Sequence, residues 1–60
     1  MPLTEVILAS ALTPHDVIMN NGDAHPVSHV ETDGSLVCVS CHNDTDFAMF
    51  ASEIVAVMPR

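Results

Sequence analysis

Sixty residues set a limit of one thin-cored domain, spanning 1–60, because a chain of this size buries only about 60% of the surface its unfolded form exposes. With 48% hydrophobic and 15% charged residues, it is too apolar for a disordered segment. Eight Asp and Glu against one Arg give a net charge of −7. The cations that replace phosphate counterions are missing, so direct binding to DNA, RNA or an anionic membrane face is not expected.

The acidic balance points instead to a protein partner, a basic one by charge, and it also serves solubility. The apolar surplus raises a second expectation, a homo-oligomer, because so small a body cannot hide it all. Protonating the four His moves the charge from −7 to −3, so association is expected to change below about pH 6.5. The N-terminus M-P-L-T-E-V-I-L-A-S-A-L has no positive region ahead of its short apolar run, unlike a signal peptide. No run reaches the 18 or so apolar residues of a membrane span. The expected location is cytoplasmic, host cytoplasm if the chain is viral, with Cys38 and Cys41 as reduced thiols.

The first element falls at 5–10. Its Ala, Leu and Glu favour helix and Val6-Ile7 favour strand, and the β character of every later segment decides for strand. Thr13-Pro14 stops it. Asp16 to Met19 is a second short strand, and Asn21-Gly22 within Asn20 to Asp23 is a strong turn signal because both residues tolerate positive φ.

Pro26 to Cys41 reads as a β-hairpin about Asp33-Gly34. A two-residue Asp33-Gly34 turn pairs Thr32 with Ser35 and His29 with Cys38. A longer turn over Glu31 to Gly34 with a Gly bulge pairs Glu31 with Ser35 and Val27 with Val39. The second is preferred, because it gathers Val27, Val37, Val39 and Cys41 on one face. His42 to Asp46 is a turn, Phe47 to Phe50 a strand, Ala51-Ser52 a tight connection, and Glu53 to Met58 the last strand. Short strands at about this spacing predict an all-β barrel or sandwich.

Leu12-Thr-Pro-His-Asp16-Val-Ile18, then Asn21-Gly22, Val27-x-x-Val30, Asp33-Gly34-x-x-Val37-x-Val39 and Ile54-Val-x-Val57 resemble the rhythm of SH3-like small barrels. KOW and Tudor domains share it, as do small accessory proteins of bacteriophages. The resemblance spans 5–58 and implies a barrel of five or six short antiparallel strands. It does not carry over the familiar functions. Tudor domains use an aromatic cage, and Phe47 and Phe50 are the only aromatics of that kind here. KOW domains that touch RNA present basic loops, and these are acidic.

Cys38-Val-Ser-Cys41-His42 matches the attachment signature of a c-type haem. On a strand, however, Cys38 and Cys41 are expected to point to opposite faces, and no export signal is read from the sequence. Zinc is the better-founded metal, with Cys38, Cys41, His25 and His29 as candidate ligands and His42 beside them. In the bulged register His25 lies opposite Cys41. Against it, Val37 and Val39 favour extended backbone over a knuckle, and free Cys commonly behaves as a small hydrophobe. A thioredoxin-like pair would open a helix in a βαβ unit, and none is read here. A Cys nucleophile with His29 or His42 as base lacks room for a substrate pocket. No cofactor is expected. Asp16 with Asp23, and Asp44 and Asp46 with Glu53, lack the spacing of a Ca²⁺ loop and read as turn carboxylates. Met19, Met49 and Met58 with Phe47 and Phe50 most simply fill a small core, or form an adaptable patch if exposed.

The expected function is therefore a non-enzymatic protein-binding module, of the phage accessory or host-modulating kind. Asp44, Asp46 and Glu53 would supply charge complementarity, and Phe47 and Phe50 the anchors. A virion or assembly component acting as an oligomer, and a zinc-stapled structural module, are the alternatives.

Overall fold

The computed structural model describes residues 4–59. Met1 to Leu3, part of the N-terminal targeting reading, and Arg60, the one basic residue besides His, lie outside them. The elements are β1 (Glu5–Leu8), a 3₁₀ turn (Ala9–Ala11), β2 (Val17–Asn20), β3 (Asp23–Asp33), β4 (Leu36–Cys41), β5 (Asp46–Phe50) and β6 (Ile54–Val57). The six strands form one sheet in the order β1-β6-β2-β3-β4-β5, and every pairing is antiparallel. The all-β architecture expected from strand spacing is the one observed.

The expected strand at 5–10 ends early, at Leu8. Ala9, Ser10 and Ala11 carry no β-branch to hold extended backbone, and the chain bends so that Ala9 enters the core, fully buried. The Leu12 N–H donates to the Ala9 carbonyl at 3.1 Å to close the turn. This turn also links the two ends of the sheet. The Ala9 N–H donates to the Glu53 carbonyl at 2.8 Å, and Ser10 N–H to the Ala51 carbonyl at 3.2 Å. The strand ladder itself does not close, and β1 and β5 remain its edges.

The loop before β2 is organised by Asp16, the single buried charged residue among those described. One of its carboxylate oxygens accepts from the Thr13 backbone N–H at 2.9 Å and from the Thr13 hydroxyl at 3.2 Å. Its carbonyl accepts the Val27 N–H at 3.0 Å, joining the loop to β3. Asp16 is thus the anchor of a turn, and the second strand begins at Val17. The Asn21-Gly22 turn forms as expected, with φ of 53° and 82°, the positive values of a type I′ hairpin.

The β3–β4 register differs from both expected alternatives. Asp33 pairs with Leu36, Thr32 with Val37, Glu31 with Cys38 and Val30 with Val39. The turn residues are Gly34 and Ser35, with Gly34 at φ 61° in the first central position, as a type II′ turn requires. Glycine serves either placement equally well, which is why Asp33-Gly34 misleads by one position. A bulge between Val27 and His29 then shifts the pairing, so that Val27 opposes Cys41. The bulge returns Val27 to the core side alongside Val37, Val39 and Cys41. The expected grouping is present, but it is produced at Ser28 and not at the hairpin tip. The Ser28 hydroxyl donates to the Ser40 carbonyl at 3.0 Å and holds the bulge.

The core consists of Ala9, Leu12, Ile18, Val27, Val37, Val39, Cys41, Val55 and Val57, with Ile7, Val30, Phe47, Met49 and Ala51 packed against it. Of the side chains expected to fill it, Phe47 and Met49 do so. Phe50 and Met58 are exposed and Met19 is half-buried, because their strand positions alternate to the outer face.

Candidate functional site

The expected site residues lie on or beside β5, and strand alternation separates them. Asp46, Ala48 and Phe50 face outward, while Phe47 and Met49 face the core. Phe47 meets His25 edge to face, with ring centroids 5.3 Å apart. The side-chain amide of Asn43 lies 2.9 Å from His25 Nδ1, within hydrogen-bonding distance. Phe47 and Phe50, three residues apart, therefore occupy opposite faces. Phe50 is 57% exposed.

The carboxylates divide in the same way. Asp46 lies on the outer face opposite Ser40. Glu53 sits in the tight turn between β5 and β6. Its carboxylate accepts the Phe50 N–H at 2.9 Å, while its own N–H donates to the Phe50 carbonyl at 2.9 Å. Glu53 thus fixes the backbone of the exposed Phe50. Asp44, at φ 64°, forms the turn at the opposite end of β5.

Across the sheet, cross-strand register assembles the outward residues into a surface that their spacing along the chain does not reveal. Phe50 pairs with Leu36, and Leu36 with Asp33. Ala48 pairs with Cys38, and Cys38 with Glu31. Asp46 pairs with Ser40, and Ser40 with His29. The result is an apolar centre of Leu36, Phe50, Ala48 and Cys38, flanked by Asp33 and Glu31 on β3 and by Asp46 on β5. His29 Nε2 lies 3.3 Å from the Glu31 carboxylate, with both side chains well exposed. Leu36, Glu31 and Asp33 went unrecognised because they join Phe50 only through cross-strand register. Their one signal is the alternation Leu36, Cys38, Ser40 against Val37, Val39, Cys41.

The metal-ligand candidates are dispersed. Cys38 is exposed on the outer face and Cys41 buried on the core face, as odd spacing along a strand dictates. His25 lies opposite Ile18 on β2, and Val27 opposite Cys41, so the pairing that would bring His25 to Cys41 does not occur. His29 is on the outer face with Cys38, two pairing rows away, with the core-facing Val30–Val39 pair between them. Among the described residues no group of three or more His, Cys, Asp or Glu is arranged to hold a metal ion. Burial, and then the charge of Asp46, push the Cys41 thiol above its ordinary value. It stays protonated and packs as a small hydrophobe. No helix among the described residues is long and apolar enough to cross a membrane.

No protein-family model, curated protein or solved structure matches the chain.

Proposed function

We propose that this chain is a non-enzymatic protein-binding module on a small SH3-like barrel, of the kind found in bacteriophage accessory and host-modulating proteins. It acts in the cytoplasm of the host cell. The reading rests on one observation: the exposed Leu36–Phe50 pair lies at the centre of a surface flanked by Asp33, Glu31 and Asp46. Such a surface suits a basic protein that inserts an apolar side chain between cationic ones. Long-range attraction speeds the encounter, and the apolar centre supplies the desolvated contact that gives affinity. A protein whose basic groove normally holds nucleic acid offers that chemistry.

The test is a pulldown with the wild-type chain, Phe50→Ser, and a triple Glu31→Gln, Asp33→Asn, Asp46→Asn variant as baits, repeated across salt. A basic partner should be retained by the wild type and lost from both variants. Truncating the anchor should cost about 2 kcal/mol or more of binding, and rising salt should release the partner. A partner retained equally by all three baits at high salt would falsify the proposal.

A further inference from the structure

A second outward surface lies on the other half of the sheet. Val6 and Leu8 on β1 pair with Ala56 and Ile54 on β6. Ile18 pairs with Val57, which sets Met19 beside Ala56 and Val17 beside Met58, and the Met58 N–H donates to the Val17 carbonyl at 2.9 Å. Met19 and Val17 pair in turn with Ala24 and Pro26 on β3. All of these paired positions are apolar. None of the eight carboxylates belongs to this face: Glu5 shares the alternation of the core-facing Ile7, and Glu53 lies in the turn before β6.

We infer that this face is the contact surface of a two-fold homodimer, packed sheet against sheet. Three observations select a second copy as its occupant. The first is area. At 61%, 51%, 71% and 48% exposure, Val6, Leu8, Ile54 and Met58 alone hold about 400 Å² of accessible surface, the range at which a patch marks an interaction. With the flanking residues, two copies bury about 1,000 Å² together, the lower bound of a specific interface. The second is charge. Chains of −7 repel one another in most orientations, and contact through this face keeps the carboxylates at its rim and away from its centre. The same acidic rim opposes an anionic bilayer. The third is the core. The largest fully buried side chains are valines, Val27, Val37, Val39 and Val57, so a slight interior leaves stability to be gained by covering this face.

The inference does not depend on the basic partner proposed above, and salt separates the two. Screening weakens attraction to a basic protein but relieves repulsion between like-charged copies. Light scattering and sedimentation velocity from about 1 μM to about 500 μM, at low and high salt, should show the mass doubling. The dissociation constant should fall as salt rises. Ile54→Lys and Val6→Lys should each raise it at least tenfold, about 1.4 kcal/mol, although each lowers the net charge and so the repulsion. Leu36→Lys, on the other outward face, should leave the dimer intact. If Ile54→Lys does not fold by circular dichroism, Ile54→Ser replaces it. A wild-type chain monomeric throughout, a dimer that survives both Lys variants, or one lost equally in Leu36→Lys overturns the inference. So does a monomer that instead binds neutral phosphatidylcholine vesicles.

Discussion

The two outward faces share one sheet and differ in almost every other respect. Over β1, β6 and β2 the outward positions are Val6, Leu8, Ile54, Ala56, Met58, Val17 and Met19, with no charge among them. Over β3, β4 and β5 they are His29, Glu31, Asp33, Leu36, Cys38, Ser40, Asp46, Ala48 and Phe50, where carboxylates surround a small apolar centre. The boundary runs through β3 itself. Before the bulge at Ser28 its outward residues are Ala24 and Pro26, and after it they are His29, Glu31 and Asp33. One irregular residue therefore lets a single strand serve two surfaces of opposite chemistry. Net charge alone conceals this, because −7 describes the sum and not its placement.

The largest effect is expected where the two halves are tied together. Asp16 holds Thr13 through its carboxylate and β3 through its carbonyl. Asp16→Ala removes the carboxylate that accepts both the Thr13 N–H and its hydroxyl, and losing these charge-assisted hydrogen bonds should cost about 1–3 kcal/mol. Urea unfolding should show a lower midpoint with an unchanged slope, and both faces should lose their contacts together. Loss confined to one face would mean that the halves fold independently.

A smaller effect, confined to the acidic half, is expected at the hairpin tip. Nothing lies within 4 Å of a methyl group added at Gly34, so Gly34→Ala meets no steric clash. Its φ of 61° is nonetheless unfavourable for an L-residue, and the substitution should cost about 1–2 kcal/mol. Chemical shifts should move along β3 and β4 and leave Ile54 to Val57 in place. A neutral effect on the unfolding midpoint would count against the type II′ turn.

The hairpin also shows how far the sequence could be read. Strand existence was legible in Val37 and Val39 alternating with polar residues, and in the Asn21-Gly22 turn. Register was not, since Gly34 can occupy either central position of a two-residue turn. The Ser28 bulge was hidden because serine suits an inward or an outward place equally. At β1 and β6 the difficulty was of another kind. Val6-Ile7-Leu8 and Ile54-Val55-Ala56-Val57 are apolar at every position, so alternation could not say which side is core. The candidate site was half legible. Phe50 and Asp46 stand on the outer face, whereas Phe47 turned inward because three residues along a strand reverse the side. Leu36 needed a partner fourteen positions away.

Smaller still are the effects of trimming each apolar centre in dilute protein. Phe50→Ser and Ile54→Ser act on side chains 57% and 71% exposed, so each should change monomer stability by no more than about 0.5 kcal/mol. Their consequences should separate in assembly: the first weakens binding to a basic partner, the second weakens self-association. If both variants lost the same function, the two faces would be one surface.

The least effect, and the one most specific to the core beneath both faces, belongs to Cys41. Its thiol is raised above the ordinary value of 9.0 by burial and by Asp46. In the unfolded chain the thiol ionises at its ordinary value, while in the fold it keeps its proton to higher pH. The folded state then binds more protons, so stability falls as pH rises past 9.0 and levels off beyond the raised folded value. Thermal melts across that alkaline window should show the decline. Cys41→Val keeps an apolar side chain against Val27 and removes the titration, so the decline should flatten. Cys38→Ser, on the outer face, should leave it unchanged. A wild-type decline that persists in Cys41→Val would place its origin in another group.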